Sequence, residues 1–234
     1  MMSISQKDII INQSRACQNR TGIEVDVPDP EAKQEVNHVE PLLIVISGPS
    51  GAGKDAVINQ LKKRDIPFHF VVTATTRTPR HYETDGDDYI FVSQERFEEM
   101  IRCDEFLEHA LVYKDYKGVP KEQVRRALAS GKDVIMRVDV QGAARIRQLS
   151  PEALLIFLTT RDEQELINRL KRRRTESPAE LELRVSIARE EMKRIGEFDY
   201  LVVNQDSHLS ETVDTILAII KAEHHRVNPR KVTL

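Results

Sequence analysis

The sequence has no tryptophan and only two cysteines, and aromatic residues make up 5% of its 234 positions. Cys17 and Cys103 stand far apart and in no CxxC or metal-binding spacing. This pattern gives no support to a disulfide framework and speaks against a structural zinc site. We therefore expect reduced thiols in a cytoplasmic or similarly reducing compartment.

Strong net charge and long apolar runs are also missing. The 35 Lys and Arg residues against 38 Asp and Glu residues give a net charge of −3. A dedicated nucleic-acid-binding protein usually carries a basic excess, so we expect no nucleic-acid partner. No apolar run approaches the roughly 20 residues that span a bilayer. The first residues have neither a basic region nor a long apolar core, so we expect no membrane partner and no secretory signal.

The chain changes character near residue 41. Residues 1–40 are polar and are interrupted by Pro28 and Pro30, which predicts a flexible N-terminal extension. The run LLIVIS at 42–47 is short, branched and continuously apolar, which is typical of a parallel strand buried on both faces. Further strand candidates alternate with helical segments up to residue 225, and residues 226–234 form a short tail. The alternation predicts an α/β fold with a right-handed, doubly wound sheet. The remaining strand candidates are 68–72, 90–93, 106–113, 133–138, 154–159 and 200–204.

A glycine-rich segment, GPSGAGK, follows the first predicted strand. Gly48, Gly53 and Lys54 fit the G-x-x-x-x-G-K pattern of a phosphate-binding loop. Such a loop aims backbone N–H groups at phosphate oxygens, and the lysine reaches the β- and γ-phosphates. Because the loop follows a buried strand and opens a helix, we prefer this interpretation to an ordinary glycine turn. The predicted ATP-binding residues are Gly48, Pro49, Ser50, Gly51, Ala52, Gly53, Lys54 and Asp55.

The residue after the loop lysine departs from the pattern. A serine or threonine normally stands there and places its hydroxyl on Mg²⁺, whereas this chain has Asp55. A carboxylate is a good ligand for a hard cation, directly or through water. We therefore predict Mg²⁺ as the cofactor and Asp55 as its ligand.

Several further motifs occur in a fixed order: GPSGAGKDAV, TTRTPR, DGDDYIFVS, EFLEHA, VDVQG and RRRTES. With them, residues 41–225 resemble the guanylate kinase family. The resemblance implies a P-loop NTPase-type parallel sheet flanked by helices, with an inserted GMP-binding lobe at about 73–120 and a helical lid at about 166–189. The core would comprise 41–72, 121–165 and 190–225. The implied reaction is ATP-dependent phosphorylation of GMP, and of dGMP, in purine nucleotide metabolism.

The resemblance also implies an acceptor site. Its GMP-binding members would include Thr73, and Arg77, Arg80 and Tyr89 would bind the phosphate. Lys117 is also predicted to bind GMP, although it stands where a phosphate-binding tyrosine is usual. Arginine forks match phosphate oxygens bidentately, and lysine meets phosphate as a point charge. The alternative for the two arginines is a solvated surface pair.

Two carboxylates would read the guanine, since its N1–H and N2–H₂ groups donate to an acceptor pair that adenine cannot satisfy. They are Glu108 and Asp139. The alternatives are a surface carboxylate for Glu108 and a helix N-cap for Asp139. Val119 and Arg137 depart from the family pattern, which often has a hydroxyl and an acid at these positions. KDAV, YKGVP and RVDVQGA look like the plant organellar branch, which would imply an organellar stroma or matrix if the chain comes from a plant.

A basic run, RLKRRR at 169–174, precedes a second group of charged helical residues. By resemblance, Arg169, Arg173 and Arg184 close over the phosphates and are catalytic together with Lys54 and Arg77. Phosphoryl transfer is catalysed mainly by positioning and positive charge, so such arginines suit the reaction. The alternative is a solvated helical face.

Two other functions remain open at this point. A non-catalytic guanylate kinase-like module would bind protein ligands in the same cleft, but such modules typically lose the loop or its lysine. A kinase of another phosphorylated acceptor, such as ribose 1,5-bisphosphate, would keep the loop but would not need the guanine-reading acids. The partners that we predict are ATP and GMP, with the chain as a monomer or a homodimer.

Overall fold

The computed structural model describes residues 40–112, 114–172 and 178–234. The predicted N-terminal extension, apart from residue 40, lies outside this part of the chain. The strands in the described part are β1 (Leu43–Ser47), β2 (His69–Phe70), β3 (Thr73–Thr75), β4 (Tyr89–Phe91), β5 (Phe106–Val112), β6 (Asp115–Pro120), β7 (Val134–Arg137), β8 (Leu154–Thr159) and β9 (Tyr200–Val203). The α-helices there are α1 (Lys54–Lys62), α2 (Gln94–Arg102), α3 (Lys121–Ala129), α4 (Val140–Leu149), α5 (Glu163–Arg172), α6 (Pro178–Met192) and α7 (Leu209–Glu223), with a 3₁₀ turn at Ile195–Glu197.

A parallel sheet of five strands forms the centre, in the order β2-β7-β1-β8-β9. Its central strand is β1, in which Ile44 lies opposite Ile135 on one side and Leu154 on the other. All five residues of β1 are buried. This confirms the prediction of a strand covered on both faces, which parallel sheets require because their crossover helices pack on each side.

Two apolar layers explain why β1 carries no polar face. Alternate residues of a strand point to opposite sides, so Ile44 and Ile46 pack in one cluster and Leu43 and Val45 in another. The first cluster includes residues of α1 and α7, and the second includes residues of α3 and α4. The α/β fold with helices on both faces is therefore confirmed.

A second, mixed sheet of four strands lies within residues 73–120, in the order β4-β3-β6-β5. It packs on α2 through Ala74, Phe97 and Phe106, and the rings of Phe97 and Phe106 stack 4.5 Å apart. Helix α2 begins after Ser93, whose side chain accepts a hydrogen bond from the backbone N–H of Arg96. The predicted strand at 106–113 is confirmed over 106–112, and residue 113 lies outside the described part of the chain. Strand β6 was missed because KDYKG is not apolar.

The chain passes from one sheet to the other near Val72. The predicted strand 68–72 is reduced to β2, although the Val71 N–H still donates to the Ile135 carbonyl. At Val72 the Gln123 side-chain amide replaces a strand partner: its oxygen accepts from the backbone N–H at 3.1 Å and its nitrogen donates to the carbonyl at 3.3 Å. A side chain thus satisfies the backbone groups where the strand ends early.

The C-terminal segment is anchored to the end of α7 and to the residues just before β8. The Arg230 Nε donates to Glu223 at 2.7 Å, and both side chains are almost fully buried. Tyr200 donates to the same carboxylate at 2.6 Å. Burial opposes ionisation of Glu223, but the hydrogen bonds from Arg230 and Tyr200 outweigh it and lower the pKa of that carboxyl. Part of the predicted tail therefore belongs to the packed structure.

No helix in the described ranges is both long enough and apolar enough to cross a membrane.

Candidate active site

The loop between β1 and α1 has the backbone of a phosphate-binding loop. Gly48 has φ +135° and Gly53 has φ +95°, conformations that side chains rarely allow. A Cβ on Gly48 would lie 2.0 Å from the carbonyl oxygen of Leu158, and one on Gly53 would lie 2.2 Å from Asn204 Nδ2. Both positions therefore require glycine, which supports the predicted cradle of backbone N–H groups.

The back of this loop is held by side chains from other segments. Asn204 Nδ2 donates to the Ala52 carbonyl at 2.8 Å, and Arg169 donates to the same oxygen at 3.2 Å. Arg169 is also bonded to Glu165 at 2.5 Å and to the Asn204 carbonyl at 2.6 Å. In this arrangement Arg169 supports the loop from behind and does not line the cleft in front of it.

Lys54 lies at the mouth of the loop. Its Nζ donates to the carbonyls of Gly48 at 2.5 Å and Pro49 at 3.1 Å. Burial lowers the pKa of Lys54 to about 8, although the nearby carboxylates of Glu191 and Asp55 favour its charged form. The lysine is thus held at the loop, and added negative charge would favour its protonated state.

The predicted acceptor residues lie on the opposite wall of the same cleft. Thr73, Arg77, Arg80, Tyr89 and Lys117 line it together with Lys54. They come from β3, β4, β6 and the segment between β3 and β4. The second sheet therefore brings together residues that are up to 44 positions apart in the chain.

The two arginines of TTRTPR are oriented by one carboxylate. Arg77 Nη2 donates to both oxygens of Glu83, at 2.8 and 2.9 Å, and Arg80 Nη1 lies 3.6 Å from Glu83. The side chain of Glu83 is only 5% exposed, and its Oε2 also accepts the backbone N–H of Arg80 at 2.8 Å. Arg77, with 20% of its side chain exposed, is therefore fixed at the cleft, whereas Arg80, with 38% exposed, is held more loosely.

Tyr89, Lys117 and Thr73 complete this wall. Burial raises the pKa of the Tyr89 hydroxyl and lowers the pKa of Lys117. Thr73 Oγ1 is buried and has no hydrogen-bond partner among the described residues. A buried hydroxyl without a partner is costly, so a ligand atom at this position would be stabilising.

The two predicted guanine-reading carboxylates meet at the start of α4. Asp139 caps this helix, accepting the Gly142 N–H at 2.7 Å, and it also lines the cleft. Glu108 is buried, and its Oε2 would lie only 3.0 Å from a Cβ added to Gly142. Glu108 lines a neighbouring pocket with His109, Arg145 and other residues. Burial, reinforced by the charge of Asp139, raises the pKa of Glu108 to about 8.

The alternatives for these two acids have different outcomes. Glu108 is not a surface carboxylate, since only 4% of the residue is exposed. Asp139 is an N-cap, as the alternative proposed, and borders the cleft as well. Val119 is fully buried in the apolar cluster that contains Leu43 and Val45, so it contributes to packing.

The lid arginines fall in different places. Arg184 lines the cleft, and its Nη1 donates to Ser50 at 3.3 Å. Arg173 lies outside the described residues. Glu191, on the same helix as Arg184, also lines the cleft, and burial raises the pKa of its carboxyl.

Asp55 is suited to a hard cation by its chemistry and place. Its carboxylate borders the cleft beside Lys54 and is 48% exposed. One of its oxygens lies 2.9 Å from Arg137 Nη1. The described residues contain no ready-made group of three His, Cys, Asp or Glu side chains around a cation. A single carboxylate fits Mg²⁺, which keeps several waters and takes its other ligands from phosphates.

A family model described as guanylate kinase matches residues 40–223. The chain belongs to the guanylate kinase family. It is 49% identical over 196 residues to guanylate kinase 2, chloroplastic/mitochondrial, of Oryza sativa subsp. japonica, covering 83% of this chain and 69% of the relative. It is 42% identical to the guanylate kinase of Clostridioides difficile, covering 81% and 92%. The crystal structure of guanylate kinase from Anaplasma phagocytophilum is similar, with a TM-score of 0.66, 27% identity and coverage of 81% and 89%.

The sequence interpretation missed three residues that shape this guanylate kinase site. Glu83 orients two arginines, Asn204 holds the phosphate loop, and Glu191 faces the cleft. A signal existed only for Glu83, which stands three and six residues after the arginines that it binds. Asn204 lies 152 residues from the carbonyl to which it donates, so sequence spacing could not indicate it.

Proposed function

We propose that the described residues transfer the γ-phosphoryl group of ATP to GMP across the cleft between the phosphate loop and the four-stranded sheet. This reaction is the one that the guanylate kinase family carries out. The observation that carries the proposal is that Lys54 on one wall and Arg77 and Arg80 on the other line the same cleft. A phosphate donor and a phosphate acceptor can therefore be held facing each other.

On the donor side, the backbone of Gly48–Lys54 would enclose the triphosphate. Lys54 would exchange its contacts with two loop carbonyls for the β- and γ-phosphate oxygens. The negative charge of the nucleotide would raise the pKa of Lys54 above about 8 and keep it protonated during transfer.

On the acceptor side, Arg77 and Arg80 would bind the GMP phosphate, with Thr73, Tyr89 and Lys117 as additional donors. Glu83 pre-orients the arginines, so little side-chain entropy is lost on binding. Glu108 and Asp139 would accept hydrogen bonds from guanine N1–H and N2–H₂. No general base is required, because the attacking oxygen belongs to an already ionised phosphate.

Positive charge would stabilise the transferring group. Arg184 contributes from α6, while Arg169 acts in this arrangement through the loop. A catalytic role for Arg173 stays a prediction. Mg²⁺, held by Asp55 directly or through water, would supply positive charge to the β- and γ-phosphates.

The experiment that tests this proposal measures ADP release with GMP, dGMP, AMP, UMP and ribose 1,5-bisphosphate as acceptors. We expect GMP to give the highest kcat/KM and dGMP to be accepted. A ribose bisphosphate kinase is disfavoured because Glu108 and Asp139 are both present near the cleft. Tight ATP binding with no turnover on any acceptor would instead favour the non-catalytic module.

We also propose that the chain works in an aqueous compartment, either the cytoplasm or an organellar stroma or matrix. The similarity to a rice enzyme named chloroplastic/mitochondrial supports the second possibility. Fractionation of the native cells with detection of this chain would distinguish the two.

A further inference from the structure

Arg137 contacts three parts of the molecule. It is the last residue of β7 in the central sheet. Its Nη1 lies 2.9 Å from Asp55 Oδ1, in the first turn of α1, and its Nη2 donates to the Asp88 carbonyl at 2.5 Å. Its guanidinium lies over the Tyr89 ring, 4.4 Å from the centroid. One side chain therefore connects the helix after the phosphate loop with the acceptor sheet.

The environment of Arg137 makes these contacts strong. Its side chain is 11% exposed, so its charge is largely removed from water and depends on its partners. The guanidinium is planar and has donors pointing in several directions, which lets it bind a carboxylate and a carbonyl at once while stacking on a ring. A lysine could not make all three contacts.

Two guanidinium groups lie over the ring of Tyr89. Arg137 lies over its ring at 4.4 Å and Arg77 at 5.2 Å, and Arg77 is itself fixed by Glu83. The orientation of the Tyr89 hydroxyl at the cleft thus depends on two cations, one from the acceptor segment and one from the central sheet.

We propose that Arg137 is a positioning residue for the acceptor nucleotide, which couples Asp55 on the donor side to Tyr89 on the acceptor side. The inference rests on the proposed function, because it assumes that GMP binds beside Tyr89. Its consequence is that Asp55, although it belongs to the donor side, contributes to GMP affinity through Arg137.

The test is equilibrium binding of GMP by calorimetry, with no ATP and no Mg²⁺ present, so that any role of Asp55 toward the metal is silent. We expect Arg137→Met to raise the Kd for GMP about tenfold and Asp55→Asn to raise it about threefold. The double variant should match Arg137→Met alone, because both changes break the same connection. Arg137→Lys should lie between Met and the unchanged protein.

A matched control exists on the same helix and turn. Lys62 Nζ lies 3.0 Å from Asp87 Oδ1, so it also links α1 to the turn before β4, but on the exposed side and outside the cleft. Lys62→Met should change the Kd for GMP less than about twofold. If Lys62→Met and Arg137→Met weaken GMP binding equally, the role of Arg137 is only to hold the two sheets together, and the proposal is overturned.

Steady-state kinetics give a second readout. If Arg137 is a positioning residue, the variants should have a higher KM for GMP. The factor by which kcat at saturating GMP falls should be smaller than the factor by which KM rises. If Asp55→Asn leaves GMP binding unchanged, or if the two substitutions add independently, the coupling does not exist. Should Arg137→Met fail to fold, Asp55→Asn and Arg137→Lys still decide the question. Failure of the unaltered protein to bind GMP would count against the proposed function itself.

Discussion

The two walls of the cleft are built by different means. The donor wall is backbone: Gly48 and Gly53 adopt positive φ values, and neighbouring atoms leave no room for a Cβ. The acceptor wall is side chain: Arg77, Arg80 and Tyr89 project from the second sheet and are oriented by Glu83 and Arg137. The donor wall therefore depends on chain geometry, and the acceptor wall depends on charge.

This difference predicts how each wall responds to change. A side chain added to the backbone of the phosphate loop should weaken ATP binding and lower local stability together. Removal of single contacts from the network of charged side chains should weaken GMP binding in graded steps. GMP binding should also depend on pH. The following four predictions test this contrast, from the largest expected effect to the smallest.

Lys54→Ala should lower kcat by about 100- to 1,000-fold or more, because in the proposed reaction this lysine meets the β- and γ-phosphate oxygens. Thermal unfolding should change little, since the hydrogen bonds that Lys54 makes within the described part of the chain go to two carbonyls of the same loop. Lys63→Ala, at the exposed end of the same helix, is the control and should keep full turnover. Near-normal turnover in Lys54→Ala would remove it from the catalytic site.

Gly48→Ala should lower stability and ATP binding together. The strained backbone and the close approach to the Leu158 carbonyl should cost about 3 kcal/mol, which corresponds to a fall in Tm of about 6–12 °C for a domain of this size. Gly131→Ala is the matched control, because Gly131 also has a positive φ of +73° but nothing lies near its Cβ position. It should cost about 1–2 kcal/mol and leave ATP binding intact. Equal effects would mean that the close approach is unimportant.

Glu83→Gln should raise the KM for GMP about tenfold and leave the KM for ATP almost unchanged, since it loosens Arg77 and Arg80 only. Glu99→Gln breaks an exposed pair with Arg96 on α2 and should have no measurable effect on either constant. A parallel rise in the KM for ATP would show that the two walls are not independent in the way described.

GMP binding should strengthen as pH rises from about 7 to 9. Glu108 has a raised pKa of about 8, so it is mostly protonated at pH 7, and only its ionised form accepts from both guanine donors. The same raised pKa lowers stability as pH rises from about 4.5 to about 8, because in this range the carboxyl of the unfolded chain is ionised while that of the folded chain is still protonated. Calorimetry without ATP should show a few-fold change in Kd across this range.

Glu108→Gln supplies the control for the pH profile. It should remove the Glu108 component of the pH dependence and reduce the preference for GMP over AMP. Because burial also lowers the pKa of Lys117, the comparison between the two proteins isolates the contribution of Glu108. An unchanged preference and an unchanged profile would take Glu108 out of the guanine site.

The donor wall carries a stronger local signal in the sequence than the acceptor wall does. A phosphate loop is contiguous, so seven neighbouring residues carry its whole signal, and the buried strand and the helix around it follow from local patterns. The acceptor residues were predicted from motifs. Of the two residues that orient them, Glu83 stands near its arginines in sequence, whereas Arg137 acts through contacts that local spacing does not encode. The strand β6 was missed because its pattern, DYKGVP, becomes a strand only by pairing with β3 and β5.

What the sequence determined by itself is therefore the local chemistry: glycines where only glycine fits, a lysine at a loop, arginines beside a turn, and the alternation of strands and helices. Tertiary structure decided which charges meet. Asp55 was predicted as a metal ligand, yet its partner Arg137 stands 82 residues away. Asp139 both caps a helix and faces the cleft. Such pairings depend on how sheets and helices pack, because electrostatic energy follows distance in space rather than separation along the chain.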